Sequence, residues 1–98
     1  MELYAILRRG GWATPDELRQ AAARSTAERE RMLDDVAWIG SYVTATEPDG
    51  TVGTICIHQA TSPEAIRLHA SRADLPVDEI VKVTDTVIVR PDPALIAT

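Results

Sequence analysis

Twice in this chain a hydroxyl residue, a proline and an acidic residue stand in a row, as Thr14-Pro15-Asp16-Glu17 and as Ser62-Pro63-Glu64. Such a cluster starts a helix. The hydroxyl accepts from the first free backbone amides, and proline suits the first helical position because no N–H is needed there. The acid complements the positive end of the helix dipole. Before each cluster lies a stretch that reads as strand: Leu3 to Arg8, ended by Gly10-Gly11, and Gly53 to Ala60, where Ile55 and Ile57 alternate with Cys56 and His58. A chain punctuated in this way must alternate helices with strands.

The first helix continues through Leu18, Ala21, Ala22, Ser25, Arg29, Met32 and Leu33 at helical spacing, with Arg19, Arg24, Glu28, Glu30 and Arg31 on its solvated face. Val36 to Thr44 follows as a strand, with Val36, Trp38, Gly40 and Tyr42 on one face and Ala37, Ile39, Ser41 and Val43 on the other. The turn Glu47-Pro48-Asp49-Gly50 makes this strand and the next a hairpin. The second helix carries Ala65, Ile66, His69, Ala70 and Ala73 inward until Pro76 stops it. One helical turn over 77–80, a β-branched strand from Val81 to Val89 and a tail of Pro91-Asp92-Pro93 with Leu95-Ile96 complete the reading.

The resulting order, β-α-β-β-α-β, predicts a single α+β domain over 1–98. It is a ferredoxin-like sandwich in which two helices cover one face of an antiparallel sheet. The second strand is apolar on both faces, so the uncovered side of the sheet predicts a homodimer.

Composition narrows the function. Ten Lys and Arg against fifteen Asp and Glu give a net charge of −5. No basic face can be built from that balance, which argues against nucleic acid and against anionic membrane surfaces. The single cysteine, Cys56, excludes an intramolecular disulfide, and Met1-Glu2-Leu3-Tyr4 lacks the pattern of a secretory signal. Without an apolar run of about 18 residues nothing spans a bilayer, and the expected location is cytoplasmic.

The chemistry-bearing residues are few. There is no Gly-rich phosphate loop, no nucleophile elbow and no Cys-x-x-Cys. His58 and Cys56 share a strand face and pair an imidazole with a thiol, a combination that suits a transition metal. A small buried cysteine beside a hydrogen-bonded histidine is the commoner outcome of the same pattern. His69 falls on the inward stripe of the second helix, where a satisfied core histidine is likewise commoner than a ligand. Trp38, Ser41 and Tyr42 suit the lining of a small-molecule pocket, because Trp and Tyr combine an apolar body with one polar atom. Ordinary packing explains them as well.

The words Trp38-Ile39-Gly40-Ser41-Tyr42-Val43-Thr44, then Cys56, then Ser62-Pro63-Glu64-Ala65-Ile66-Arg67-Leu68-His69-Ala70, and finally Leu75-Pro76-Val77-Asp78, resemble a family of small bacterial nickel-binding proteins along nearly the whole chain. The resemblance implies a ferredoxin-like fold with an added short strand and a homodimer. It also implies nickel bound at the dimer surface, with a role in sequestering the metal, and no established enzymatic reaction. His69 matches the histidine of the family's second helix, Ser41 and Tyr42 its strand-two pair, and Cys56 its strand-three cysteine. The chain departs from the pattern at Gly40, where members carry a histidine, and at Gln59 and Leu68, where they carry acids. Its hairpin loop is longer, and His58 replaces an aromatic residue.

Three functions follow as expectations. The first is a homodimer that binds a divalent metal ion, nickel, through His69 and His58 assisted by Glu64. The second is a dimeric α+β barrel whose apolar cleft, lined by Trp38, Tyr42, Cys56 and His69, binds or transforms a small organic molecule, with His69 as general acid or base. A module that only contacts another protein is a third.

Overall fold

Both clusters cap helices as their chemistry requires. In the computed structural model, which describes residues 1–45 and 49–92, the Thr14 hydroxyl accepts from the Glu17 amide at 3.2 Å and the Ser62 hydroxyl from the Ala65 amide at 3.1 Å. The Glu17 carboxylate reaches back to the Ala13 amide at 2.9 Å. The helices they open are α1, Pro15–Glu30, and α2, Pro63–Arg72. The strands are β1 (Glu2–Trp12), β2 (Val36–Ala45), β3 (Val52–Ala60) and β4 (Glu79–Lys82). They form one antiparallel sheet in the order β2-β3-β1-β4, with the element order β-α-β-β-α-β of a ferredoxin-like α+β fold. Among the described residues no helix is long and apolar enough to cross a membrane.

Four boundaries differ from the sequence reading, each for a local reason. β1 does not stop at Gly10-Gly11; it runs on to Trp12 through a shift of register against β3 between Arg8 and Trp12. Gly10 sits at φ +54°, and a Cβ on the facing Gly53 would lie 2.2 Å from the Arg8 carbonyl oxygen. The glycines therefore make a bulge instead of a turn. α1 ends at Glu30, because the amides of Arg31 and Met32 bond to carbonyls three residues back, at 3.0 Å each, and the last turn tightens. Met32 is still buried beyond the helix, whereas Leu33 is exposed.

Residues 77–80 are not helical. The Asp78 amide donates to the Leu7 carbonyl at 2.9 Å, and β4 begins directly after it. β4 in turn ends at Lys82, and Val87, Ile88 and Val89 are exposed. With Lys82 opposite Tyr4, an antiparallel partner soon runs out of β1 residues to pair with. Glu47 and Pro48 of the hairpin turn, and Pro93, Leu95 and Ile96 of the tail, lie outside the described residues.

The largest correction concerns β2. Trp38 pairs with His58 but Gly40 with Ile57, so Ile39 is an extra residue and the alternation inverts past it. Val36, Trp38, Ser41 and Val43 thus share the helix-covered face with Ala60, His58, Cys56 and Thr54, while Gly40 and Tyr42 join Ile57 and Ile55 on the open face. On the covered side Tyr4, Ile6, Met32, Val36, Cys56, Ala60 and Ile66 form the main core, and Trp12, Ala21 and Val52 a smaller one. The open face carries Leu3, Ala5 and Leu7 of β1 beside Ile55, Ile57, Tyr42 and Val81.

Candidate functional site

The smaller core does not fill the space between α1 and the sheet. A cavity of about 360 Å³ remains there, walled by Trp12, Leu18 and Ala21 and opening past Trp38 and Val43. Its floor is polar. Arg8 follows Tyr4 and Ile6 on the inward side of β1 and is only 3% exposed. Across the β1–β3 ladder it faces Thr54, and the inward side of β3 continues with Cys56 and His58.

The floor's hydrogen bonds are incomplete. Trp38 Nε1 donates to Ser41 Oγ at 2.8 Å, Ser41 Oγ to Cys56 Sγ at 3.0 Å, and Arg8 Nη1 to the same sulfur at 3.4 Å. Arg8 Nε and Nη2, Thr54 Oγ1 and His58 Nδ1 are buried and have no partner among the described residues. Burial lowers the Arg8 pKa, opposed in part by Cys56, yet a guanidinium stays charged under any such shift. A second guanidinium, Arg29, lies 5.0 Å from the Trp38 ring centroid at the mouth and bonds to Ser25 and Thr26 of its own helix.

The two histidines do come together, with ring centroids 6.1 Å apart in an edge-on arrangement. His69 is fully buried, and its Nε2 lies 3.0 Å from the Ser25 carbonyl. A carbonyl only accepts, so Nε2 carries the hydrogen and the lone pair sits on Nδ1, which has no partner among the described residues. His58 is pushed down to about 3, first by burial and then by the positive charge of Arg8, His69 and Arg29. Burial also lowers His69, against the raising effect of its bond to Ser25. Both imidazoles are neutral at pH 7.

The other expected site residues are spread out. Glu64 is exposed on the first turn of α2, 3.9 Å from Arg67, while His69 points into the core. Tyr42 lies on the open face, 52% exposed, where its hydroxyl bonds to Asp92 and that bond raises its pKa. Trp38 and Cys56 line the cavity together with His58, but Tyr42 and His69 do not. Among the described residues no three of His, Cys, Asp and Glu lie close enough to hold a metal ion. The imidazole pair, moreover, has two guanidiniums near it where a dication would need negative donors.

Arg8, Thr54, Trp12 and Arg29 were not expected at the site. For Arg8 a signal exists in the sequence: it keeps the parity of Tyr4 and Ile6, so an inward strand position carries a charge. Trp12 gives no such signal, because the bulge at Gly10-Gly11 resets its parity.

Fold and site together define a small ferredoxin-like α+β domain with a cavity between its first helix and its sheet. A family model described as "Nickel responsive protein SCO4226-like" matches residues 4–83, and the chain belongs to that family. Its fold is similar to that of the crystal structure of SCO4226 from Streptomyces coelicolor A3(2), with a TM-score of 0.66 and 24% identity, covering 87% of this chain and 99% of that one. None of the curated proteins matches the chain.

Proposed function

We propose that this member of the nickel-responsive family is a binding protein that works as a homodimer and holds a small organic molecule in the cavity between α1 and the sheet. The observation that carries the reading is the cavity itself: about 360 Å³ of mostly apolar space over a floor of unpaired polar atoms. That combination is the common form of a small-molecule site. The apolar open face, with Leu3, Leu7, Ile55 and Ile57, supports pairing of two copies.

Both tryptophans line the cavity, so their fluorescence reports its occupancy. Titration with phenylacetate, benzyl alcohol and phenethylamine is expected to give saturable quenching by at least one of them. Ala22→Phe, which narrows the cavity from the exposed side of α1, should abolish it. Linear, non-saturating response to all three would overturn the reading.

Nickel is the second reading, favoured by the family match and by the neutral His58–His69 pair. Two imidazole nitrogens per protomer are a partial set, so binding should be weak, and His69→Ala should remove it. Calorimetric titration of nickel chloride into the full chain and into His69→Ala decides this. Equal heats, or no heat in either, would end the assignment.

A further inference from the structure

We propose that the cavity is a carboxylate site: Arg8, assisted by the Thr54 hydroxyl, grips the carboxylate of a small organic acid whose hydrocarbon body lies against Trp12, Leu18 and Val43. The proposal rests on the cavity being a ligand site and adds the chemistry of its ligand.

Three observations converge on an anion. The first is a buried cation without a counter-charge among the described residues. Withdrawing a guanidinium from water is costly unless an anion or a full set of acceptors replaces the water. Arg8 has one acceptor, the Cys56 sulfur at 3.4 Å, and two of its three nitrogens have no partner among the described residues. The second is the charge of the walls. The chain has fifteen acidic residues against ten basic ones, yet among the described residues those lining the cavity include Arg8 and Arg29 and no Asp or Glu. The third is a further unpaired hydroxyl, Thr54 Oγ1, on the residue that directly faces Arg8 across the ladder. A hydroxyl can donate to the same anion.

The form of the space selects a carboxylate. A guanidinium presents two parallel N–H groups that match the two oxygens of a carboxylate. A phosphate monoester, with up to two charges and three terminal oxygens, calls for more donors than this floor presents, whereas walls of Trp, Leu, Ala and Val suit a hydrocarbon chain or an aryl ring. Arg29 above Trp38 extends the positive field to the entrance, where an acid would first be attracted.

The test is titration of hexanoate, octanoate and phenylacetate, each beside its neutral primary amide, into the full chain with tryptophan fluorescence and calorimetry as readouts. At least one acid is expected to bind about 10-fold or more tightly than its amide. Arg8→Met should weaken that acid by about 10- to 100-fold and the amide by a much smaller factor, so that the preference for the acid disappears. Removing an unpaired buried charge is not expected to unfold the protein, and circular dichroism verifies this. Thr54→Val, nearly the same shape without the hydroxyl, provides a second variant and should weaken the acid several-fold. If acids and amides bind equally, and Arg8→Met changes neither, the carboxylate assignment fails while the cavity reading stands. If neither acids nor amides bind, the carboxylate assignment fails, and the cavity reading fails with it only when benzyl alcohol and phenethylamine also give no saturable response. Tighter nickel binding by Arg8→Met, with no acid bound by the wild type, would overturn the proposal in favour of a cation.

Discussion

At the scale of single residues, the chain's behaviour in acid should be governed in large part by His58. Its folded-state pKa, about 3, lies below the ordinary value of 6.5, so the unfolded chain takes up a proton that the folded chain refuses. Stability from this group is therefore fully present above pH 6.5 and is lost progressively as the pH falls towards 3, with a limiting slope of about 1.4 kcal/mol per pH unit. His69, lowered in the same direction, adds to the slope. Urea unfolding between pH 7.5 and 4.5 should show a steeper decline for the wild type than for His58→Gln; parallel curves would mean that the imidazole is not held neutral. The same burial keeps a lone pair free on the His69 ring. It also explains why that ring, pointed into the core under α1, is a poor choice for a general acid or base acting in the cavity: it does not line it.

At the scale of elements, α1 depends on its first turn more than on an amphipathic face. Along α1 only Ala21 is fully buried, and the helix leaves open space beside it instead of interlocking with the sheet. Its start is correspondingly valuable: the Thr14 hydroxyl and the Glu17 carboxylate satisfy two backbone amides there. Thr14→Ala should lower stability by about 1 kcal/mol and reduce hydrogen-exchange protection along α1 more than along the sheet. Ser62→Ala should cost a similar amount. Its effect should centre on α2, which buries Ile66, His69 and Ala70 and is held by packing as well. Uniform loss of protection in both variants would show that the helices and the sheet open as one unit.

For the whole molecule, one side of the sheet is covered by helices and the other carries Leu3, Ala5 and Leu7 from β1, Ile55 and Ile57 from β3, and Val81 from β4, bordered by Gln59 and Glu79. A 98-residue chain buries only about two-thirds of the surface its unfolded form exposes, and the proposed second copy on this face would add core that one chain lacks. Sedimentation at micromolar concentration is expected to give twice the chain mass, and Ile55→Lys, at the edge of that surface, should shift it to the monomer without loss of helix signal. A wild-type monomer would refute the homodimer. Gly40 and Gln59, two of the positions where the chain departs from the nickel-binding pattern, lie on this same open side, opposite or beside Ile57 in the ladder. Gly40 and Gln59 on the one hand and Arg8 on the other are thus on opposite faces of one sheet, while the third departure, Leu68, lies on α2. The ligand chemistry proposed for the cavity does not depend on the open face.

Element order and the helix starts were legible in the sequence, because caps, prolines and hydrophobic period act over a few residues and need no distant partner. The inward parity of Arg8 was legible in the same sense, though its lack of a counter-charge was not. Tertiary structure alone decided which side of the sheet each β2 side chain occupies, since the extra residue at Ile39 is defined only by its pairing with β3. It likewise decided the length of β4, set by the end of β1, and the space left beneath α1. Register, partner length and the fit of one layer on another belong to pairs of segments, and a one-residue slip moves every following side chain to the other face.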